Sequence, residues 1–130
     1  MQRAGRWLPW IAAGIWAGVI FYFSSLHHAS LSDIPMWDWI TRKAAHLFVF
    51  AVLALLMTSA ASAFKLPRPA VVGFLIAAAY GGLDEFHQSF VVGRSPLITD
   101  VLIDATGALI GVAAWWYLSR RRERARRDSG

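Results

Sequence analysis

The chain contains no cysteine. Disulfides and thiolate-bound metals are therefore excluded. Charge is also scarce: Asp, Glu, Lys and Arg make up 16% of the 130 residues, against 57% hydrophobic residues. With a mean hydropathy of +0.46, an ordinary soluble domain is excluded and a membrane protein is indicated. The length allows one domain. There is no internal repeat, no glycine-rich phosphate loop and no paired-histidine helix motif. The net charge of +5 is unevenly placed, with six of the thirteen basic residues between Arg120 and Arg127, directly after a hydrophobic run. A cluster in that position anchors a span at an anionic leaflet, so no nucleic-acid partner is expected.

Four long apolar runs are present, and they predict an all-α membrane bundle of four transmembrane helices. The first covers about 7–25, preceded by Arg3 and Arg6, with Pro9 tolerated in its first turn. It is longer than a signal-peptide core and no Ala-x-Ala site follows, so a retained helix is expected. A polar connector, 26–42, holds His27, His28, Asp33 and Pro35; its Trp37 and Trp39 suit a short interfacial helix. The two histidines are expected to be solvated loop residues. The second span covers about 43–64, and Lys65-Leu66-Pro67-Arg68-Pro69 is a tight turn. The third covers about 69–90. Ser95 and Pro96 read as N-cap and first residue of the fourth, which continues to about Leu118 and ends in an aromatic belt of Trp115, Trp116 and Tyr117. Residues 1–119 form the membrane domain, and 120–130 a basic tail expected to fray.

Lys and Arg set the orientation. Arg3, Arg6, Lys65, Arg68 and the six tail arginines fall on one side, ten in all, against Arg42, Lys43 and Arg94 on the other. Both termini are therefore expected in the cytoplasm. The acids sort oppositely: only Glu123 and Asp128 lie on the inner side.

The remaining polar residues agree in depth. Counted from the nearest cytoplasmic basic residue, Ser24 lies about 27 Å up its helix, His46 about 29 Å, and Asp84 and Asp104 about 24 Å. Four spans thus deliver polar groups to one shallow layer below the outer surface. Lys43, His46 and Phe50 share a helix face; Asp84, His87 and Gln88 share another, with Glu85 beside them; Asp100, Asp104, Gly107 and Gly111 form a stripe on the fourth span. Facing lipid would leave these charges unpaired, so the stripes are expected to converge between the helices, the glycines lying in a packed seam.

Three kinds of chemistry fit such a cluster. Lys43 and Arg94 can neutralise two of the four acids and fix helix register. Alternatively, a carboxylate of Asp84 or Glu85 near His46 can act in general acid–base catalysis, with Lys43 taking part. Arg94 and Lys43 would then hold a phosphate, and Gln88, Ser24, Asp100 and Asp104 would complete substrate binding. Lacking a serine or threonine nucleophile motif, hydrolysis would proceed through activated water or histidine. Thirdly, His46, Glu85, His87 and the aspartates have the chemistry of divalent-ion ligands, but no motif supports them and no metal ligand is assigned. The sequence identifies no cofactor. A coupled transporter fits less well, since repeat symmetry and broken helices are missing.

Lys43-Ala44-Ala45-His46 followed by an apolar helix resembles the K-x-x-H motif of VanZ-like membrane proteins. Asp84-Glu85-x-x-Gln88-x-Phe90, then Gly93-Arg94, Asp100 and the Gly107/Gly111 pair, resembles that family's second motif, and Phe21 to Ser25 also fits. Similarity extends over about residues 10–118. The chain has Val49 and Phe50 where the family often has an acidic residue and a tyrosine, and Asp104 where it often has Asn. The resemblance implies a multi-pass protein of the bacterial cell membrane. It also implies action on the cell envelope, as in the glycopeptide (teicoplanin) resistance factor for which the family is named. Membrane lipids and a lipid-linked envelope precursor are the partners expected. An acyl-phosphate transferase label carried by some members has no support in the motifs present.

Overall fold

The computed structural model describes residues 5–26, 33–93 and 98–130. Four helices account for nearly all of them: α1 (Leu8–Ser25), α2 (Pro35–Ala63), α3 (Pro69–Gln88) and α4 (Ile98–Asp128). Each is long and apolar enough to cross a membrane. Pro9, Pro35 and Pro69 all stand at the first or second helical position, where a missing N–H costs no hydrogen bond. Between α2 and α3, Lys65 and Arg68 adopt left-handed φ values of 56° and 50°. The Leu66 N–H donates to Ala61 O at 3.0 Å, closing a Schellman cap around Lys65.

Burial is arranged for lipid rather than water. Ile11, Ile15, Phe48, Leu75, Leu83 and Leu109 are among many large apolar side chains left exposed. The buried set is mostly small or polar: Ala13, Ala54, Ala77, Ala108, Ser24, Thr58, Asp84, Glu85, Gln88 and Asp104, with Ile20, Phe50 and Leu53 the large apolar members. In hydrocarbon, apolar side chains gain little by meeting each other. Close backbone approach and interhelical hydrogen bonds must hold the bundle instead.

Close approach is clearest between α2 and α4, the most extensive helix pair. A Cβ added at Gly107 would run into the carbonyl of Leu47, and one at Gly111 into that of Ala51. Both pairs advance four residues together, so α2 and α4 run parallel and in register. α3 packs against both. α1 leans on α2 and α3, where Trp16 Nε1 donates to Val49 O at 2.9 Å and the Tyr80 hydroxyl to Ala17 O at 2.6 Å.

Two boundaries differ from the sequence expectation. Trp37 and Trp39 are not on a separate interfacial helix: Pro35–Arg42 forms the first turns of an unbroken α2 of 29 residues. Pro35 starts the helix rather than breaking it, and the Arg42 guanidinium holds Asp38 one turn back at 3.0 Å. The tail does not fray, because α4 stays helical to Asp128. Arginine and alanine are good helix formers, and Glu123 stands four residues before Arg127, the favourable order for an acid–base spacing. His27, His28, Arg94, Ser95 and Pro96 lie outside the described residues, so the expected N-cap is not placed.

Candidate functional site

All four helices bring a polar side chain to the same end of the bundle. α1 contributes Ser24 in its last turn, and α3 contributes Asp84, Glu85 and Gln88 in its last two turns. α2 contributes Lys43 and His46 one turn apart, α4 Asp100 and Asp104 one turn apart. Because α2 and α4 are parallel and in register, these two pairs face each other rung by rung. Lys43 Nζ bonds Asp100 Oδ1, and His46 Nδ1 lies 2.8 Å from Asp104 Oδ1.

The second half of the network joins α1 to α3. Ser24 Oγ donates to Asp84 Oδ1. Gln88 Nε2 donates to Asp84 Oδ2 at 3.0 Å and to Ser24 Oγ at 3.1 Å. Both carboxylate oxygens of Asp84 are thus bound, and its position is fixed by a closed ring of three side chains. Ser24, Asp84, Glu85 and Gln88 are each at most 5% exposed, and Asp104 is fully buried.

The two halves meet. His46, Asp84, Glu85 and Asp104 each offer a ligand atom, and these four atoms lie within 4.8 Å of one another. Three carboxylates and one imidazole therefore share a volume a few ångströms across, with the carboxylates buried and the imidazole nearly a quarter exposed. Asp104 Oδ2 has no hydrogen-bond partner among the described residues. The exposed margin of the site is basic and aromatic: Lys43 keeps about a fifth of its side chain exposed, and its Nζ lies 5.9 Å from the Trp39 ring.

His87 is not part of this group. Its ring stacks on Phe21 with centroids 4.5 Å apart, and Nε2 lies 3.0 Å from Ser25 Oγ. The buried face of α3 runs through Gly73, Ala77, Gly81, Asp84, Glu85 and Gln88. On a 3.6-residue helix, His87 falls about 100° from the middle of that arc. Sequence reasoning missed Gly81. A Cβ there would lie 3.0 Å from Asp104 Cβ, 3.3 Å from Asp104 Oδ2 and 3.4 Å from the Phe50 ring, so a side chain at this position would crowd Asp104 where α4 seats it beside α3. The signal was the four-residue spacing Gly73, Ala77, Gly81, which runs directly into Glu85.

Residues 9–119 match the VanZ/LLP1 family. The chain belongs to that family. In this VanZ/LLP1 member the matched stretch starts in α1 and ends in α4 just before Arg120, so it reaches into all four helices and takes in the whole polar cluster. The K-x-x-H residues are Lys43 and His46, the two that reach across to α4. The D-E-x-x-Q residues are Asp84, Glu85 and Gln88, whose side chains are all buried. Asp104, where the VanZ-like pattern often has Asn, is the carboxylate bound to His46. Phe50, where it often has tyrosine, stacks 6.3 Å from the same imidazole. No match was found among curated proteins or among solved structures.

Proposed function

We propose that this VanZ-like protein sits in a bacterial cell membrane with both termini in the cytoplasm. There it acts at the outer leaflet on a lipid-linked or phosphorylated envelope substrate, as glycopeptide (teicoplanin) resistance factors of its family are expected to do. One observation carries the reading: an imidazole and three carboxylates are packed together at the end of the bundle opposite the basic tail, with Lys43 at their margin. Ionisable groups are costly at that depth unless they serve a function or a strong structural need. In this reading Lys43 and Arg94 receive the phosphate, and His46 exchanges a proton with Asp84 or Glu85. Gln88, Ser24, Asp100 and Asp104 hold the geometry and complete substrate binding. The orientation follows from the ten-to-three distribution of basic residues between the two sides.

A structural reading has support of its own. The Lys43–Asp100 and His46–Asp104 contacts and the Ser24–Asp84–Gln88 ring each join two helices, as a network that fixes helix register would. Two measurements separate the readings. Mass spectrometry of protein extracted in mild detergent is expected to find a specific phosphorylated lipid; bulk lipid alone favours the strut. Hosts expressing Asp84→Asn, Glu85→Gln or Arg94→Lys are expected to lose glycopeptide or envelope-stress survival while the protein still inserts. Aggregation of the two carboxamide variants with wild-type behaviour of Arg94→Lys would leave only the strut. Single cysteines at Gly93 and at Ser129, probed with an impermeant thiol reagent on intact cells, test the orientation: labelling at Gly93 only is expected.

A further inference from the structure

We infer that His46, Asp84, Glu85 and Asp104 form a binding site for one divalent first-row transition ion of the Mn²⁺ or Zn²⁺ type. Three features on different helices support it. First, the spacing suits a single ion. Ligands on opposite sides of a Zn²⁺-sized ion are about 4.2 Å apart, and on opposite sides of Ca²⁺ about 4.8 Å. The four atoms here lie within 4.8 Å of one another, so the widest pair needs about 0.6 Å of closure to sit across a Zn²⁺-sized ion.

Second, Asp104 is built to give an oxygen. Its side chain is fully buried, and Oδ1 is taken by His46. Oδ2 meets no donor among the described residues. It points to the face of α3 that carries Asp84 and Glu85, since a Cβ on Gly81 would lie 3.3 Å from it. A buried acceptor left without a donor is unfavourable, and an ion bound there removes that cost. Third, Asp84 is held as metal-binding carboxylates are, with Ser24 and Gln88 fixing its plane from outside the cluster. One imidazole nitrogen among carboxylate oxygens favours transition ions over Ca²⁺ and Mg²⁺, which prefer all-oxygen shells. His87, the histidine of α3, turns away to Phe21 and takes no part.

The inference treats the cluster as a site, in common with the lipid reading, but its test needs no lipid. The full chain in detergent, stripped with chelator and dialysed, is titrated with MnCl₂, ZnCl₂, CaCl₂ and MgCl₂. Uptake is followed by elemental analysis, and bound Mn²⁺ by electron paramagnetic resonance. The expected result is one Mn²⁺ or Zn²⁺ per chain, with nitrogen coupling on the Mn²⁺ signal and weaker retention of Ca²⁺ and Mg²⁺. His46→Gln and Asp104→Asn should each weaken uptake about tenfold or more, consistent with loss of one ligand. Asp38→Asn, at a carboxylate bound to Arg42 and outside the group, should leave uptake unchanged. Should His46→Gln fail to insert, Asp104→Asn decides, because it keeps the shape and an acceptor for His46. No stoichiometric uptake by the wild type overturns the site, and so does uptake indifferent to Asp104→Asn. A phosphorylated lipid that still co-purifies with a metal-free wild type removes the ion and spares the lipid reading. Ion uptake with bulk lipid only does the reverse.

Discussion

At the end of the bundle where the termini lie, arginines rest on aromatic rings at the surface. Arg6 stands 4.8 Å from the Phe64 centroid, with Trp7 edge-on to the same ring, and Arg120 stands 4.1 Å from Trp116. At the other end, Asp84, Glu85 and Asp104 are buried between helices, with Ser24, Gln88 and His46 as neighbours. Both ends are charged and both belong to the membrane boundary. The difference is which groups water can reach. An exposed guanidinium on a ring holds the helix at the headgroup level with little stake in the fold. A buried carboxylate must be satisfied by the protein, so its neighbours are tied to it, and a small change there is felt across four helices. Charge near a membrane boundary therefore does not by itself separate anchor from site. Burial together with cross-helix partners does.

The contrast can be broken first at the seam that holds α2 to α4 beneath the buried end. Gly111→Leu or Gly107→Leu should cut the monodisperse yield from size-exclusion chromatography by about tenfold, because no space exists beside the Ala51 and Leu47 carbonyls. Thr106→Ala, at an exposed hydroxyl bonded to Leu102 O, should leave yield unchanged. Similar yields for the glycine variants and wild type would mean that the seam is not closed.

Next comes Gln88→Ala, which removes a donor to Asp84. It should lower stability by about 1–3 kcal/mol, measured by denaturant unfolding in detergent. Lys65→Gly should act in the opposite direction, raising stability by about 1 kcal/mol, since Lys65 holds a left-handed φ that glycine adopts without strain. The smallest change is expected at the exposed end: Arg120→Gln should shift stability by less than about 0.5 kcal/mol. Equal losses for Gln88→Ala and Arg120→Gln would remove the distinction between the two ends.

Much of the architecture was legible because bilayer thickness fixes span length. The apolar runs placed α1, α2 and α3 to within a few residues, apart from the added turns at the start of α2. Agreement in depth among Ser24, His46, Asp84 and Asp104 anticipated their convergence. The Lys43, His46 and Phe50 face and the Gly107/Gly111 stripe also hold, because helical spacing alone decides them. Length beyond the bilayer was harder to read. Outside hydrocarbon nothing forces a helix to end, so Pro35 could start one and the arginine run could continue one. The direction of His87 was misjudged for a different reason. A three-residue spacing allows two residues to share a face without saying where that face is centred, and the small residues at 73, 77 and 81 supply the centre. Gly81 itself is invisible to any search for chemistry, because its contribution is the side chain it lacks.

The continuation of α4 gives the molecule a handle. Thirty-one helical residues reach about 46 Å, some 16 Å more than the hydrocarbon they cross. The excess carries the arginines as a rod continuous with the helix that bears Asp100 and Asp104. A rigid helical fusion grafted in phase after Asp128 would therefore turn with the membrane domain rather than swing on a tether. For a 14.4 kDa protein composed almost wholly of lipid-facing helices, that rod is a fiducial through which the buried cluster can be imaged with and without added Mn²⁺.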